Sequence, residues 1–277
     1  FLRINGDKDA VIACFRINPP NQEYLEDIYS SEYYTEANKK LYANIEILKY
    51  RLDNISGPKV DFVLNNISPK PKSWLDIGCG TGEILKSAQD RGLHVIGVET
   101  NKMQRDFARD HFNIDVLDEF ITPQNIGKVG TTFDVISLFS VLEHVLNPDA
   151  LIKEISAIQN QHSTLVVEVP HYPSISSLTQ SVFPEYVNRM MHPPFHLFLF
   201  SLKGMEVLLG RYGYEITNCW FFGQDWFEFI TTMLLVIPKL ENTDLAKTMI
   251  SLIDDFQKII DVNGYSDEML LLARKIR

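Results

Sequence analysis

Leu75-Asp76-Ile77-Gly78-Cys79-Gly80-Thr81-Gly82 sets glycines at alternate positions and an acid two residues before the first of them. Glycines so spaced let a chain leave a strand in a tight turn and keep side chains from between the backbone and a ligand lying across the strand end. Downstream, Glu99 closes the apolar run Val95-Ile96-Gly97-Val98, 21 residues after Gly78. A carboxylate there can accept the hydroxyl hydrogens of a ribose, a geometry that dinucleotide and adenosyl ligands share. The residues therefore point to a nucleoside derivative without saying which.

The loop discriminates further. A GxGxxG fingerprint begun at Gly78 needs glycine at 83, and one begun at Gly80 needs it at 85, where the chain has Glu83 and Leu85. Glu83 opens the following helix where a pyrophosphate would be received, and a fixed negative charge there repels phosphate. Asp76 adds a second acid. Such a site suits a ligand with an ammonium and a sulfonium and no phosphate, which describes S-adenosylmethionine.

These residues need a strand and helix scaffold, and the hydropathy pattern supplies one. Short apolar runs at Ser73–Ile77, His94–Val98, 114–117, 133–138 and 164–169 alternate with helical periodicity at 83–91, 102–111 and 148–159, as in a parallel sheet covered on both faces. A further helix at 202–212 ends at Gly213 and leads into a strand at 215–221. Helical segments at 225–237 and 243–260 precede a last strand at 269–273, which would pair with the one at 215–221 across the insertion. The first 72 residues read as an extended piece at 10–17, a Pro19-Pro20 break and a Tyr-rich helical region at 23–66, punctuated at Gly57-Pro58 and closed by Pro69 and Pro71. The expected fold is α/β: a Rossmann-like, seven-stranded, mostly parallel sheet with helices on both faces. The expected parts are an N-terminal helical cap or lid (1–72), a core (73–222), and a helical insertion with the final strand (223–277).

Leu75 to Gly82, Glu99 and Phe133-Asp134-Val135-Ile136-Ser137-Leu138-Phe139-Ser140-Val141-Leu142-Glu143-His144-Val145 together resemble the motifs of class I S-adenosylmethionine-dependent methyltransferases over residues 73–222. Ile17-Asn18-Pro19-Pro20 with Tyr29-Ser30-Ser31-Glu32-Tyr33-Tyr34, and the end from Ile260-Asp261 through Ser266-Asp267-Glu268-Met269 to Lys275, are similar to the subset associated with bacterial sugar and surface-glycan pathways. The resemblance implies that Gly78, Cys79 and Gly80 approach the methionine part through their backbone and that Asp76 supports its amino group. It further implies Glu99 on the ribose, Thr100 beside the adenine, Asp118 on the adenine amino group, Phe139 and Ser140 lining the site, and Tyr34 closing over it. Tyr29, Tyr33 and Tyr42 are the other lid aromatics.

Transfer of a methyl group to a hydroxyl, the acceptor favoured here, is helped by a base, and a histidine is suited to that role. His144, His171 and His196 are the candidates. His192 and His196 are four apart but flank Pro193-Pro194, which opposes a helical metal pair. Relatives with paired N-terminal cysteines bind zinc; Cys14 stands alone in that region, so no metal is inferred.

With 26 Lys and Arg against 36 Asp and Glu, the charge of −10 and the lack of a basic run disfavour a nucleic-acid partner. Three cysteines, Cys14, Cys79 and Cys219, fit neither a metal ribbon nor a disulfide framework and suit a reducing, cytoplasmic setting. No segment reads as a signal peptide or membrane span, and a start at Phe1 leaves room for residues upstream. The expected substrate is a small molecule or sugar; a homo-oligomer is left open. Two alternatives stand beside this enzyme: a catalytically silent cofactor-binding partner subunit, and an NAD-dependent oxidoreductase.

Overall fold

The structure, a computed structural model, describes residues 2–3, 11–14, 20–31, 45–119, 132–186 and 196–277. Tyr33, Tyr34, Tyr42 and His192 lie outside these residues.

Two short strands, β1 (Leu2–Arg3) and β2 (Val11–Cys14), precede α1 (Gln22–Ser30), whose first turn is capped by Asn21 accepting the Tyr24 N–H at 2.8 Å. After Ser31 the description resumes at α2 (Ile45–Arg51), which continues through a π turn at Leu52–Ser56 into α3 (Gly57–Asn66). Gly57-Pro58 therefore does not interrupt the helical path as expected. The Gly57 N–H reaches back five residues to Leu52 O, and a Cβ on Gly57 would stand 2.8 Å from that oxygen. Pro58 falls in the first turn of α3, where a missing N–H costs little.

The βα units follow: β3 (Ser73–Ile77), α4 (Glu83–Gln89), β4 (His94–Val98), α5 (Lys102–Phe112), β5 (Val116–Leu117), β6 (Val135–Phe139), α6 (Pro148–Ile158) and β7 (Thr164–Pro170). β5 starts two residues later than its apolar run because Asn113, at φ 53°, caps α5 and Ile114 is spent burying that helix end. Next come α7 (Ile175–Val182), β8 (Phe198–Phe200), α8 (Leu202–Arg211), β9 (Tyr214–Phe222), α9 (Asp225–Val236), α10 (Asp244–Ser251), α11 (Ile253–Val262) and β10 (Glu268–Lys275). The seven-stranded sheet runs β5-β4-β3-β6-β7-β10-β9, with β10 antiparallel to both neighbours. This is the Rossmann-like order expected, including the strand pair split by helices.

Alternate residues of the strands feed two cores. One holds Leu75, Ile136, Leu138, Val167 and Leu271 under Leu151, Ile155, Met205 and Leu208 of α6 and α8. The other holds Trp74, Val135, Val166 and Leu270 under Leu48, Val60, Val63, Leu85 and Phe107. Each such side chain contributes about 1.5–3 kcal/mol when fully buried. Leu48, Val60 and Val63 thus fix α2 and α3 directly against the sheet.

Three features differ from the expected pattern. The segment 243–260 is two helices, because Leu252 leaves the helical region (φ −100°, ψ 8°) and the turn lets Phe256 stack on Trp226 at 4.6 Å. Helix α7 and strand β8 were not foreseen. β8 pairs with β2 in a second sheet, β1-β2-β8, a pairing between distant segments that local pattern does not carry. The insertion is pinned by Asp225, fully buried, which accepts the N–H groups of Ser176 (2.8 Å) and Asp267 (2.9 Å). Among the described residues no helix is long and apolar enough to cross a membrane.

Candidate functional site

The loop after β3 turns under the end of β4: the N–H groups of Gly78 and Cys79 both donate to Val98 O, at 2.8 and 3.0 Å. Gly78 (φ 73°) and Gly80 (φ 54°) adopt the left-handed conformation that the alternate glycines anticipated. Cys79 turns its thiol inward, toward Gly97, where an added Cβ would stand 2.5 Å from Sγ. Burial holds that thiol well above its ordinary range, so Cys79 offers the site its backbone and no nucleophile.

Glu99 lies one residue past β4. Its Oε2 accepts the Gly80 N–H at 3.0 Å and its Oε1 the Asn101 N–H at 2.8 Å, with Thr100 Oγ1 at 3.4 Å. Burial raises its pKa, and these hydrogen bonds oppose the rise. Arg105 donates to the carbonyls of Glu99 and Thr100 and pairs with Asp118 at 2.7 Å. Asp118 is thus an exposed acid paired with Arg105 near Glu99.

Asp76 sits at the end of a buried polar chain in which Trp74 Nε1 donates to Ser137 Oγ at 2.7 Å and Ser137 Oγ to Asp76 Oδ1 at 2.6 Å. Burial first, and then Glu168, Glu99 and Glu83, push its pKa up to about 7, while the Ser137 hydrogen bond works against them.

A cavity of about 270 Å³ opens beside these residues, lined on the sheet side by Asp76, Gly78, Cys79, Gly80, Phe139, Ser140 and Glu168. Arg51, Ser56 and Lys59 line it from α2, the π turn and α3. Arg51 Nε donates to Glu83 Oε1 at 2.7 Å, and Thr81 Oγ1 to Glu83 Oε2 at 2.7 Å. The charge of Glu83 is therefore balanced by Arg51, so the repulsion of phosphate expected from it is weakened. Lys59 Nζ stands 2.8 and 2.6 Å from the two oxygens of Glu168, whose Oε1 also accepts from Ser140 Oγ at 3.3 Å.

Arg51, Lys59 and Glu168 were not among the sequence candidates. Glu168 had a signal, since it is the one ionisable residue in the otherwise apolar run of β7. Arg51 and Lys59 had none, because a basic residue on a helix ordinarily faces water.

The histidines separate. His144 follows the turn after β6, where Tyr29 of α1 meets it edge-on with ring centroids 5.9 Å apart. The Leu197 N–H donates to Glu143 O at 2.8 Å, which brings His196 against His144 at 5.0 Å between centroids. Glu143, His144 and His196 place one donor atom each within 4.8 Å of one another and, among the described residues, could hold a metal ion, a grouping that pairing His196 with His192 did not anticipate. Glu143 is buried, its Oε2 has no hydrogen-bond partner, and burial pushes its pKa up to about 8. His171, expected at the ligand edge, is instead walled in. Its Nδ1 lies 2.9 Å from Ser266 O, Phe221 packs on its ring, and burial lowers its pKa. None of the three histidines lines the cavity, and the turn that carries His171 is in addition fastened to residues 266–267 by this contact and by the His171 N–H on Asp267 O.

The arrangement offers glycine backbone, the Glu99 carboxylate able to accept hydroxyl hydrogens, carboxylates able to face a cation and an arginine able to meet a carboxylate. A cofactor of the adenosyl–amino-acid type fits it: Gly80 lines the cavity with φ 54°, and a Cβ added there would stand in space whose nearest atom is Gln104 Nε2 at 3.9 Å, room that a ligand can use.

A family profile described as a methyltransferase domain matches residues 48–218, more than half the chain. The chain is 26% identical over 160 residues to a ubiquinone biosynthesis O-methyltransferase of Hahella chejuensis, covering 56% of this chain and 67% of that one. It is 30% identical over 107 residues to its counterpart in Coxiella burnetii, covering 38% of this chain and only 46% of the relative. Among solved structures, magnesium protoporphyrin IX methyltransferase from Synechocystis PCC 6803 with bound S-adenosylhomocysteine shares the fold at a TM-score of 0.59 and 11% identity, over 92% of this chain and 100% of that one.

Proposed function

The chain belongs to the class I S-adenosylmethionine-dependent methyltransferase family, with S-adenosylmethionine as cofactor, and from that premise we propose that it methylates a hydroxyl oxygen of a small-molecule acceptor. The observation that carries the donor side is the linked pair of Glu99 and Gly80, set beside a cavity rich in carboxylates. When bound, the cofactor supplies a methyl group already activated by its sulfonium, so the protein is left with alignment, desolvation and proton removal.

Glu99 retains lone pairs for the ribose hydroxyls after accepting from Gly80 and Asn101. Thr100 and Asp118 flank the adenine side. Asp76 faces the cationic part, and Arg51 can turn a guanidinium edge from Glu83 toward a carboxylate. Phe139 and Ser140 end β6 beside the transfer position, and Tyr34 is the lid residue of this reading. His144, backed by His196 and Tyr29, is the base for the acceptor proton; His171 holds the turn after β7. The division into cap, core and insertion is part of the same reading.

For the acceptor, the name O-methyltransferase in two relatives supports oxygen. The resemblance of both chain ends to glycan-pathway methyltransferases supports a saccharide-type substrate, while the same relatives support a phenolic one of the ubiquinone pathway. The cysteine usage supports a cytoplasmic setting. Calorimetry with S-adenosylhomocysteine and with NAD, followed by labelled methyl transfer to sugar and phenol panels, tests the proposal. The expected result is binding of the first ligand alone and label in one panel; binding of NAD in its place refutes the donor assignment, and label in neither panel favours the silent subunit.

A further inference from the structure

In the turn after β6, Glu143 is 1% exposed and, among the described residues, its Oε2 has no hydrogen-bond partner. A buried carboxylate oxygen without a donor is unfavourable, and protonation does not cure it, because the hydroxyl would then lack an acceptor. What converges on this carboxylate is imidazole. His144 Nε2 stands 3.6 Å from Glu143 Oε1, and the His196 ring meets that of His144 edge-on at 5.0 Å between centroids. The backbone holds the set from two directions. A turn closed by the His144 N–H on Val141 O, at 3.0 Å, carries Glu143 and His144, and the Leu197 N–H on Glu143 O, at 2.8 Å, brings in His196. One donor atom from each lies within 4.8 Å of the other two. Donors held at zinc distances stand roughly 3.4 Å apart across a tetrahedron, so the first pair is nearly set and rotation of two partly exposed rings closes the rest.

We propose that Glu143, His144 and His196 form a site for one zinc-type divalent cation, and that the loaded site is the idle state of the enzyme. Two imidazoles and a carboxylate suit zinc and its late first-row neighbours and suit magnesium poorly, since magnesium prefers oxygen and keeps its waters. Three protein ligands leave a fourth position open, and the His144 side chain, 22% exposed, puts that position within reach of solvent. An ion ligated through His144 Nε2 takes the lone pair that would receive the acceptor proton. That silencing rests on the base reading above; the site itself rests on the side chains alone. None of the three residues lines the cavity beside Asp76 and Gly78, so the ion leaves the donor pocket as it is.

The full chain, stripped with a chelator and dialysed, is titrated calorimetrically with zinc chloride and with magnesium chloride. One zinc per chain at micromolar Kd or tighter is expected, with magnesium at least about 100-fold weaker. Glu143→Gln and His196→Asn should each weaken zinc by about 100-fold or more, because a lost ligand costs at least what a lost supporting hydrogen bond does. Cobalt(II) in place of zinc should give the intense visible bands of a four-coordinate ion, absent from both variants. Zinc affinity unchanged in either variant, or no tighter than that of magnesium, overturns the site. Should Glu143→Gln not fold, His144→Gln beside His196→Asn carries the same comparison. For the idle state, saturating zinc should stop methyl transfer to the acceptor found in the panels above and a chelator should restore it, with S-adenosylhomocysteine affinity kept within about twofold, as for separate sites. Full rate in His144→Asn, or label in neither panel, sinks the base reading and the idle state with it, while calorimetry still decides the site. A zinc-insensitive or zinc-stimulated rate with His144→Asn impaired sinks only the idle state.

Discussion

Glu99 Oε2 accepts the N–H of Gly80 at 3.0 Å, so the acid that follows β4 and the middle glycine of the loop after β3 move as one unit. Glu99→Ala should therefore weaken S-adenosylhomocysteine by about 1.5–3 kcal/mol, the range for hydrogen bonds to a charged group, and loosen the loop. Glu99→Gln should recover part of the loss, since its carbonyl can still accept from Gly80. Calorimetry measures both, and unchanged affinity in the alanine variant refutes the ribose assignment.

Asp76 gives the site a pH dependence. Its folded pKa of about 7 lies above the ordinary 3.8, so between those values the folded state holds more protons than the unfolded one and stability falls as pH rises. Asp76→Asn should raise Tm relative to the native chain at pH 8 and match it near pH 5. Glu143, pushed to about 8, adds a second step of the same sign that both proteins retain. A sulfonium or ammonium beside Asp76 favours its ionised form, so affinity for S-adenosylmethionine should increase as pH rises through about 7, with proton release on binding. Affinity flat across that window contradicts the placement.

Gly78→Ala combines a left-handed φ of 73° with a Cβ only 2.6 Å from Val141 Cγ2. A loss of about 1–3 kcal/mol in urea unfolding is expected from crowding and strain, with cofactor affinity falling further because the loop is displaced. A native-like titration in this variant would show that the ligand does not cross the loop.

His144→Asn should lower kcat about 100-fold or more while leaving donor KM nearly constant, the signature of a lost general base, and His196→Asn, which removes only the ring that backs it, should lower kcat less. His171→Asn should behave oppositely, lowering Tm with kcat largely kept, because its ring serves Ser266 and Phe221. Steady-state kinetics beside thermal melts separate the two, and a kcat loss confined to His171→Asn reverses the assignment.

Much of this was written in local pattern. Alternate glycines at 78, 80 and 82 specify a turn that other residues resist, and the apolar runs with intervening helical periods specify a covered parallel sheet. The acid after β4 belongs to the same local unit. What escaped was non-local: the pairing of 198–200 with 11–14, the break at Leu252 where neither Gly nor Pro marks it, and the π turn that carries the chain past Gly57-Pro58.

By itself, then, the sequence determined the turn at Gly78, the carboxylate at 99 and the sheet that joins them, because each depends on neighbours within a few residues and on simple periodicity. Only the tertiary structure decided that Arg51 and Lys59 reach Glu83 and Glu168, that His144 meets His196, and that His171 is walled in. Those relationships join segments far apart in the chain, 51 with 83, 59 with 168, 144 with 196 and 171 with 266, and a side chain's burial and charge partners are fixed by that packing, not by its neighbours along the chain.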